Sequence, residues 1–372
     1  MSLDIIPRPE VRNELFDALG GGSVLLYGPR RVGKSTLLNE IAEHPPHAHT
    51  LLRIDLEGHL QHPVEELASQ VRHHLRIAGL GPGTDLKEHI EQVEGAGFGV
   101  RLRQAGSPGP WEQLRDDLEA AVSSQPGHTL VVALDEVPWW LDAIVGQDGA
   151  GAGRAALATL RRLRQHRLLS ERLRFVLTGS VGLAGLASEL GASAELNDLA
   201  TVVMTPMTLE QGATLFEAEL TAAGRQCSPV AARHAAQLAG GSPHWIKRLA
   251  SAIPPGGALD AEVVEAACEA LLAPAVRMEF ADEGREHFRR RHGRVMPALL
   301  AMLEAVSGGD TGQPVQGAIN AALQVQPELT PGQVRECVFL LVDGFYLRQG
   351  PEDTLEWVNP LFRRWWLRYG GP

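Results

Sequence analysis

Along the first two hundred positions, short continuous apolar runs alternate with stretches whose apolar residues recur at helical spacing. Ser23–Tyr27 is short, apolar and β-prone, and Ser35–Ala42 then shows the helical pattern. A second strand is predicted over Leu51–Glu57, followed by a helix over Val64–Ile77 that opens after Pro63. Further helices are predicted over Trp111–Ser123 and Arg154–Leu169, the latter with a basic outer face. Strands are predicted at Thr129–Leu134, Phe175–Leu177 and Thr201–Met204. Strand and helix in alternation imply an α/β fold with a parallel sheet. The stretch Gly79–Pro110 is rich in Gly and Pro and holds one strand-like piece, Phe98–Leu102, so it reads as an insertion or surface excursion.

From Thr208 the β-runs stop. Helical spacing recurs over Leu209–Ala223, Pro229–Ala239, Pro243–Ala252 and Asp260–Leu272, the pattern of a helical lid. The run Pro254-Pro255-Gly256-Gly257 is a turn within it, because periodicity resumes at once. An Arg-rich helix is predicted from Arg277 to Arg294, then helices at Pro297–Val306, Val315–Leu323 and Pro331–Val342. Two strand-like runs flank Gly350-Pro351-Glu352-Asp353 as a hairpin, and three helices with a hairpin make a winged-helix pattern. The expected division is a core over 1–207, a lid over 208–274 and a winged-helix domain over 275–372.

Length and charge narrow the picture. At 372 residues the chain is long enough for two or three domains. No apolar run approaches the roughly 18 residues of a membrane span, so no membrane association is expected. The start of the chain lacks the basic flank and apolar stretch of a signal peptide, and Cys227, Cys268 and Cys337 show no C-x-x-C spacing. A reducing, cytoplasmic setting with free thiols is therefore expected. A net charge of −11 argues against a wholesale nucleic-acid coat and leaves nucleic acid only as the business of a local patch.

The candidate chemistry begins between the first strand and the helix after it. Gly28-Pro29-Arg30-Arg31-Val32-Gly33-Lys34-Ser35-Thr36 is a complete G-x-x-x-x-G-K-[ST] phosphate loop in the strand–loop–helix setting that its physics requires. Gly28 and Gly33 let the backbone curl so that successive N–H groups point at one phosphate, with the positive end of a helix dipole behind them. Lys34 supplies charge for the β- and γ-phosphates, and the Ser35 hydroxyl is placed to ligate Mg²⁺. The bland alternative is a Gly-rich turn that happens to contain Lys-Ser. Asp135 and Glu136 end an apolar strand farther along, where a carboxylate meets the metal and the γ-phosphate. Asp135 would hold the Mg²⁺ shell with Ser35, and Glu136 would orient or deprotonate the attacking water. Thr178 and Ser180 end the next strand, so a hydroxyl there would reach the γ-phosphate or the water, although a Thr-Gly-Ser turn is also ordinary strand-end chemistry.

Other features carry less. His44, His47 and His49 lie in a Pro-containing connection with no Cys or carboxylate at ligand spacing, and no metal is assigned there. Trp139-Trp140 and Trp365-Trp366 adjoin apolar residues and read as packing anchors. The cluster Arg285, Arg289, Arg290, Arg291 and Arg294 is either a phosphate-tracking surface or a solvated face paired with Glu279, Asp282, Glu283 and Glu286, and the interleaved acids favour the second.

The phosphate loop, Val132-Ala133-Leu134-Asp135-Glu136, Val176-Leu177-Thr178-Gly179-Ser180, Gly240-Gly241-Ser242-Pro243-His244 and Asn359-Pro360-Leu361-Phe362-Arg363-Arg364-Trp365-Trp366 together resemble the archaeal-type ATPases of the STAND class, relatives of AAA+ proteins. The resemblance spans nearly the whole chain and extends to Arg8-Pro9-Glu10, which matches a segment lying over the adenine in such proteins. It implies a P-loop NTPase with a five-stranded parallel sheet ordered 5-1-4-3-2, a helical lid and a C-terminal winged helix. It also implies that Gly28–Thr36 is the Walker A loop, Asp135 and Glu136 the Walker B pair, Thr178–Ser180 the first sensor, and Pro243 a lid residue near the base. ATP and Mg²⁺ are the cofactors that follow. Two departures stand out: no Arg or Lys occurs between Arg174 and Arg225, where an arginine finger would sit, and His244 takes roughly the place of the lid's second-sensor arginine. Fewer cations for transition-state charge imply a slow switch, with Arg30, Arg31 or a partner's residue in partial compensation. Two outputs compete, an interaction platform that binds a protein partner or self-associates with ATP, and a DNA-binding initiator-like ATPase acting through the winged helix. Positions 275–372 hold 11 Lys plus Arg against 12 Asp plus Glu, which favours protein contacts.

Overall fold

A computed structural model describes residues 6–58, 61–81, 108–179, 182–256, 259–273, 293–309 and 312–369. Helix α1 (Pro9–Gly21) opens with Pro in its first turn and buries Val11, Leu15 and Leu19, spaced four apart, against the sheet. The core then runs β1 (Val24–Tyr27), α2 (Lys34–Glu43), β2 (His49–Asp55), α3 (Pro63–Ile77), α4 (Pro110–Ser124), β3 (Thr129–Asp135), α5 (Val137–Asp148), α6 (Ala150–Arg164), β4 (Leu173–Gly179), α7 (Leu183–Glu189) and β5 (Ala200–Val203). The sheet is parallel, and its order from one edge, β5-β1-β4-β3-β2, is the one expected.

Two buried clusters form because alternate residues of each strand face opposite ways. Leu52, Ile54, Val132 and Leu134 pack with α3, α4, α5 and α6, while Leu51, Val131 and Ala133 pack with α1 and α2. Register sets Leu26 beside Thr178 and Asp55 beside Asp135, so the loops after β1, β3 and β4 open at the same carboxyl edge. Open α/β sheets bind their ligands at that edge.

After the sheet come α8 (Leu209–Ala222), α9 (Pro229–Leu238), α10 (Pro243–Ala252) and α11 (Ala261–Leu271). The start of α8 is fixed by a reciprocal cap between Thr208 and Gln211. The chain continues through α12 (Met296–Ser307), β6 (Gln313–Pro314), α13 (Val315–Val325), α14 (Pro331–Asp343), β7 (Leu347–Gly350), β8 (Thr354–Trp357) and α15 (Pro360–Tyr369). The hairpin strand β8 is central in an antiparallel sheet ordered β6-β8-β7. One buried cluster extends from Ala213 in α8 to Trp366 in α15.

Several elements differ from the sequence pattern. Helices α1, α5, α7 and α15 were not separately expected, and α6 begins and ends earlier than Arg154–Leu169. Trp140, Trp365 and Trp366 are packing anchors, but Trp139 is 39% exposed. Among the described residues no helix is long and apolar enough to cross a membrane. The strand-like piece Phe98–Leu102, Ser180, and the Arg-rich cluster from Arg285 to Arg291 lie outside the described residues.

Candidate functional site

The phosphate loop is shaped by its glycines. A Cβ on Gly28 would lie 2.4 Å from the carbonyl oxygen of Met204, which follows β5, so only Gly permits the strands to stay this close. Gly33 caps α2 with φ of +104°, and Arg31 also occupies the left-handed region at φ 63°. A non-glycine residue held there stores strain of roughly 1–3 kcal/mol, a feature that clusters at ligand clamps.

Lys34, Ser35 and Thr36 form the first turn of α2. Lys34 is buried, and its Nζ donates to the carbonyl oxygens of Gly28 at 2.8 Å and Pro29 at 3.0 Å. Burial depresses the ammonium to about 8, against the opposing pull of Glu136 and Asp135. The loop lysine and the acidic strand end therefore face one another across the β1 and β3 edges. Arg30 reaches Glu57 at 3.4 Å.

Asp135 ends β3 fully buried, and both of its oxygens are engaged. Thr178 donates its hydroxyl to Oδ1 at 2.5 Å, and Arg53 donates to Oδ2 from Nε at 2.9 Å and from Nη2 at 2.7 Å. Thr178 also accepts the backbone N–H of Glu136 at 3.1 Å, so its side chain ties the two acidic positions together. In this arrangement the hydroxyl is turned to Asp135 and Glu136, whereas the sequence pattern offers it to phosphate or water. Glu136 caps α5 in a left-handed conformation with φ of 62°, which turns the chain sharply at the strand end.

The lid completes the surroundings. Arg31 donates from Nη1 to Nε2 of His244 at 2.6 Å, and its guanidinium carbon lies 5.7 Å from the Trp245 ring centre. Burial, with Arg31 and Arg248 nearby, pushes His244 down to about 4, so at neutral pH its uncharged ring is the acceptor. A cleft opens beside the loop, lined among others by Arg8, Val32, Gly33, Thr36, Pro243 and Lys247. Arg8 is 5% exposed, donates to Glu10 at 3.0 Å and to the Thr205 carbonyl at 2.9 Å, and keeps its buried Nη1 without a hydrogen-bond partner.

Of the residues singled out from sequence, Gly28 to Thr36, Asp135, Glu136 and Thr178 converge at the sheet edge, and Arg8, Pro243 and His244 converge on the adjoining cleft or loop. Arg53 and Lys247 were missed. Arg53 carried a signal, since it and Asp55 are the polar residues that alternate with the apolar Leu52 and Ile54 at the carboxyl end of β2.

Residues 8–176 match the family described as AAA ATPase domain. The whole chain is similar in fold to a Walker-type ATPase of Pyrococcus abyssi, PABY2304, at 17% identity, covering 97% of this chain and 96% of that one with a TM-score of 0.67. It is also similar to the ORC2 protein of Aeropyrum pernix in its ADPNP–ADP complexes, at 15% identity, covering 96% and 91% with a TM-score of 0.53. A comparison with curated proteins gave no match. At these identities the two structures speak to the fold, a P-loop α/β sheet followed by a helical region.

Proposed function

We propose that the chain is a cytoplasmic, ATP-binding STAND-type switch that hydrolyses ATP slowly with Mg²⁺ and uses its nucleotide state to control a protein partner or its own assembly. The observation that carries this reading is the cleft beside the phosphate loop, because among its walls are three parts of the chain far apart in sequence: Arg8 ahead of α1, the loop and α2, and Pro243 and Lys247 of α10. A ligand gripped by all three biases how they sit together, which is the requirement for a switch. Division into a core, a lid and a winged helix at 207 and 274 belongs to the same proposal, with the α–β–α–α–β–β order from α12 to β8 supporting the last.

The donor set suits Mg²⁺. Ser35 and Asp135 offer hard oxygens, and among the described residues no group of three or more His, Cys, Asp or Glu side chains is arranged to hold a metal. A divalent ion here depends on phosphate oxygens and water for the remainder of its shell, as Mg²⁺ commonly does. Bound there, it would neutralise charge on the β- and γ-phosphates. Lys34 would turn from the loop carbonyls to phosphate, and Glu136 would orient or deprotonate water.

Calorimetry of ATP binding to wild type and Lys34→Ala tests the reading. Loss of binding in the variant is expected, since backbone N–H groups alone do not neutralise a triphosphate. Unchanged ATP affinity in Lys34→Ala removes the basis of the proposal.

A further inference from the structure

Arg53 lies on β2, the edge strand beside β3, and outside every motif of the sequence. Its two neighbours Leu52 and Ile54 enter the core on the opposite face, so strand alternation directs Arg53 to the face that carries Asp135. Two of its nitrogens converge on a single oxygen, Asp135 Oδ2, and Nη2 also reaches Asp55 Oδ2 at 2.8 Å. The guanidinium therefore bridges a carboxylate that is 1% exposed and another that is 50% exposed. Thr178 takes the remaining oxygen of Asp135. The carboxylate suited to the metal shell is already neutralised from within the chain.

We propose that Arg53 is a positioning residue that sets the Mg²⁺ requirement of the nucleotide site: it holds Asp135 through Oδ2 and would yield that oxygen to the metal shell, moving its charge onto Asp55. This rests on the nucleotide-switch reading above. A guanidinium and a divalent cation on one carboxylate oxygen repel, so one excludes or weakens the other. Leaving a buried carboxylate is ordinarily costly for its partner, but the half-exposed Asp55 gives Arg53 a second counter-ion without crossing the site. The exchange is thus a choice between two adjacent carboxylates.

The test is retention of a fluorescent ATP analogue by the full chain as free Mg²⁺ is varied, with circular dichroism to check folding. Arg53→Gln is expected to lower the half-saturating Mg²⁺ concentration by about fivefold or more, the low end of an ordinary coupling between sites. Arg53→Lys should fall between that variant and wild type, because one ammonium cannot make the converging contacts. Asp55→Asn should act in the opposite direction and raise the requirement, since it removes the alternative partner. A purely structural Arg53 would lower thermal stability and leave the Mg²⁺ midpoints in place. A folded Arg53→Gln that needs as much Mg²⁺ as wild type, or more, overturns the proposal. If that variant does not fold, an unchanged midpoint in Arg53→Lys overturns it instead. Wild type that retains no analogue at any Mg²⁺ concentration overturns the switch reading, and this inference with it.

Discussion

Tyr27, the residue before the first glycine of the phosphate loop, donates its hydroxyl to both the backbone carbonyl and the carboxylate of Asp343, 316 positions away at the end of α14. The carbonyl contact is 2.7 Å, and the Tyr27 ring also lies 4.6 Å from that of Phe345. Asp343 is buried against α7, where a Cβ on Gly185 would come within 3.6 Å of its second carboxylate oxygen. Burial raises the Asp343 carboxyl above its ordinary range against the opposing hydrogen bonds from Tyr27 and Gly185, and burial together with Asp343 raises the Tyr27 phenol. The strand that feeds the loop is thereby joined directly to the C-terminal elements.

Tyr27→Phe removes the donor and leaves two buried acceptors without it. A loss of about 1–3 kcal/mol in unfolding free energy is expected, read by urea denaturation. Hydrogen exchange across residues 331–343 should rise in step. Asp343→Asn keeps an acceptor and removes the buried charge, so it should cost less than Tyr27→Phe. The reverse order would show that the contact contributes little.

Glu136→Gln separates binding from turnover. The amide preserves shape and cannot take a proton, so ATP affinity should stay near wild type while hydrolysis slows by about a hundredfold or more. A phosphate-release assay beside a binding titration reads both. Wild-type turnover in this variant would remove Glu136 as the base.

Lys34 gives a pH dependence with a definite sign. Its ammonium sits at about 8 in the folded chain against an ordinary 10.5. Phosphate binding requires the charged form, which falls from about nine-tenths at pH 7 to about one-tenth at pH 9 for such a group. ATP should bind about tenfold more weakly at pH 9, with proton uptake visible as a dependence of calorimetric enthalpy on buffer. Without nucleotide, the folded protein gives up this proton first as pH rises from 8 toward 10.5, while the unfolded chain still holds it. The contribution to stability therefore grows with pH through that window and is lost as pH falls through 8. An ATP affinity flat from pH 7 to 9 would exclude the titration.

The sheet was legible because its signals are local. Each strand is a short apolar run, and the loop and acidic strand end carry residue types at fixed offsets. Helix α1 is less legible because its buried stripe is only Val11, Leu15 and Leu19 and no side chain at Arg8 caps its start. Helix α5 starts from a left-handed Glu136, so no conventional cap announces it. The partners of Arg31 and Arg53 depend on chain pairs 213 and 82 positions apart, which no local pattern encodes. Tertiary pairing decides those side chains.

Strong DNA binding through the C-terminal third is not expected near physiological salt. Positions 275–372 carry 11 Lys plus Arg against 12 Asp plus Glu, so the segment has no net positive charge to release counter-ions from a phosphate backbone. The paired tryptophans of α15 are turned inward, whereas Phe339 of α14 is 49% exposed. Trp365 and Trp366 are 2% and 4% exposed, and Trp366 donates its indole N–H to Glu304 at 2.7 Å, which leaves neither ring as a base-stacking platform. Arg364 pairs with Glu265 and Arg368 with Glu269, which ties the basic face of α15 to acids of α11. An anisotropy titration with duplex DNA should therefore give weak binding at about 150 mM salt with a shallow salt slope. Submicromolar affinity under those conditions, lost when Arg289, Arg290 and Arg291 are replaced, would transfer the output from protein contacts to DNA, because only phosphate contacts by those side chains produce a salt slope that flattens on their removal.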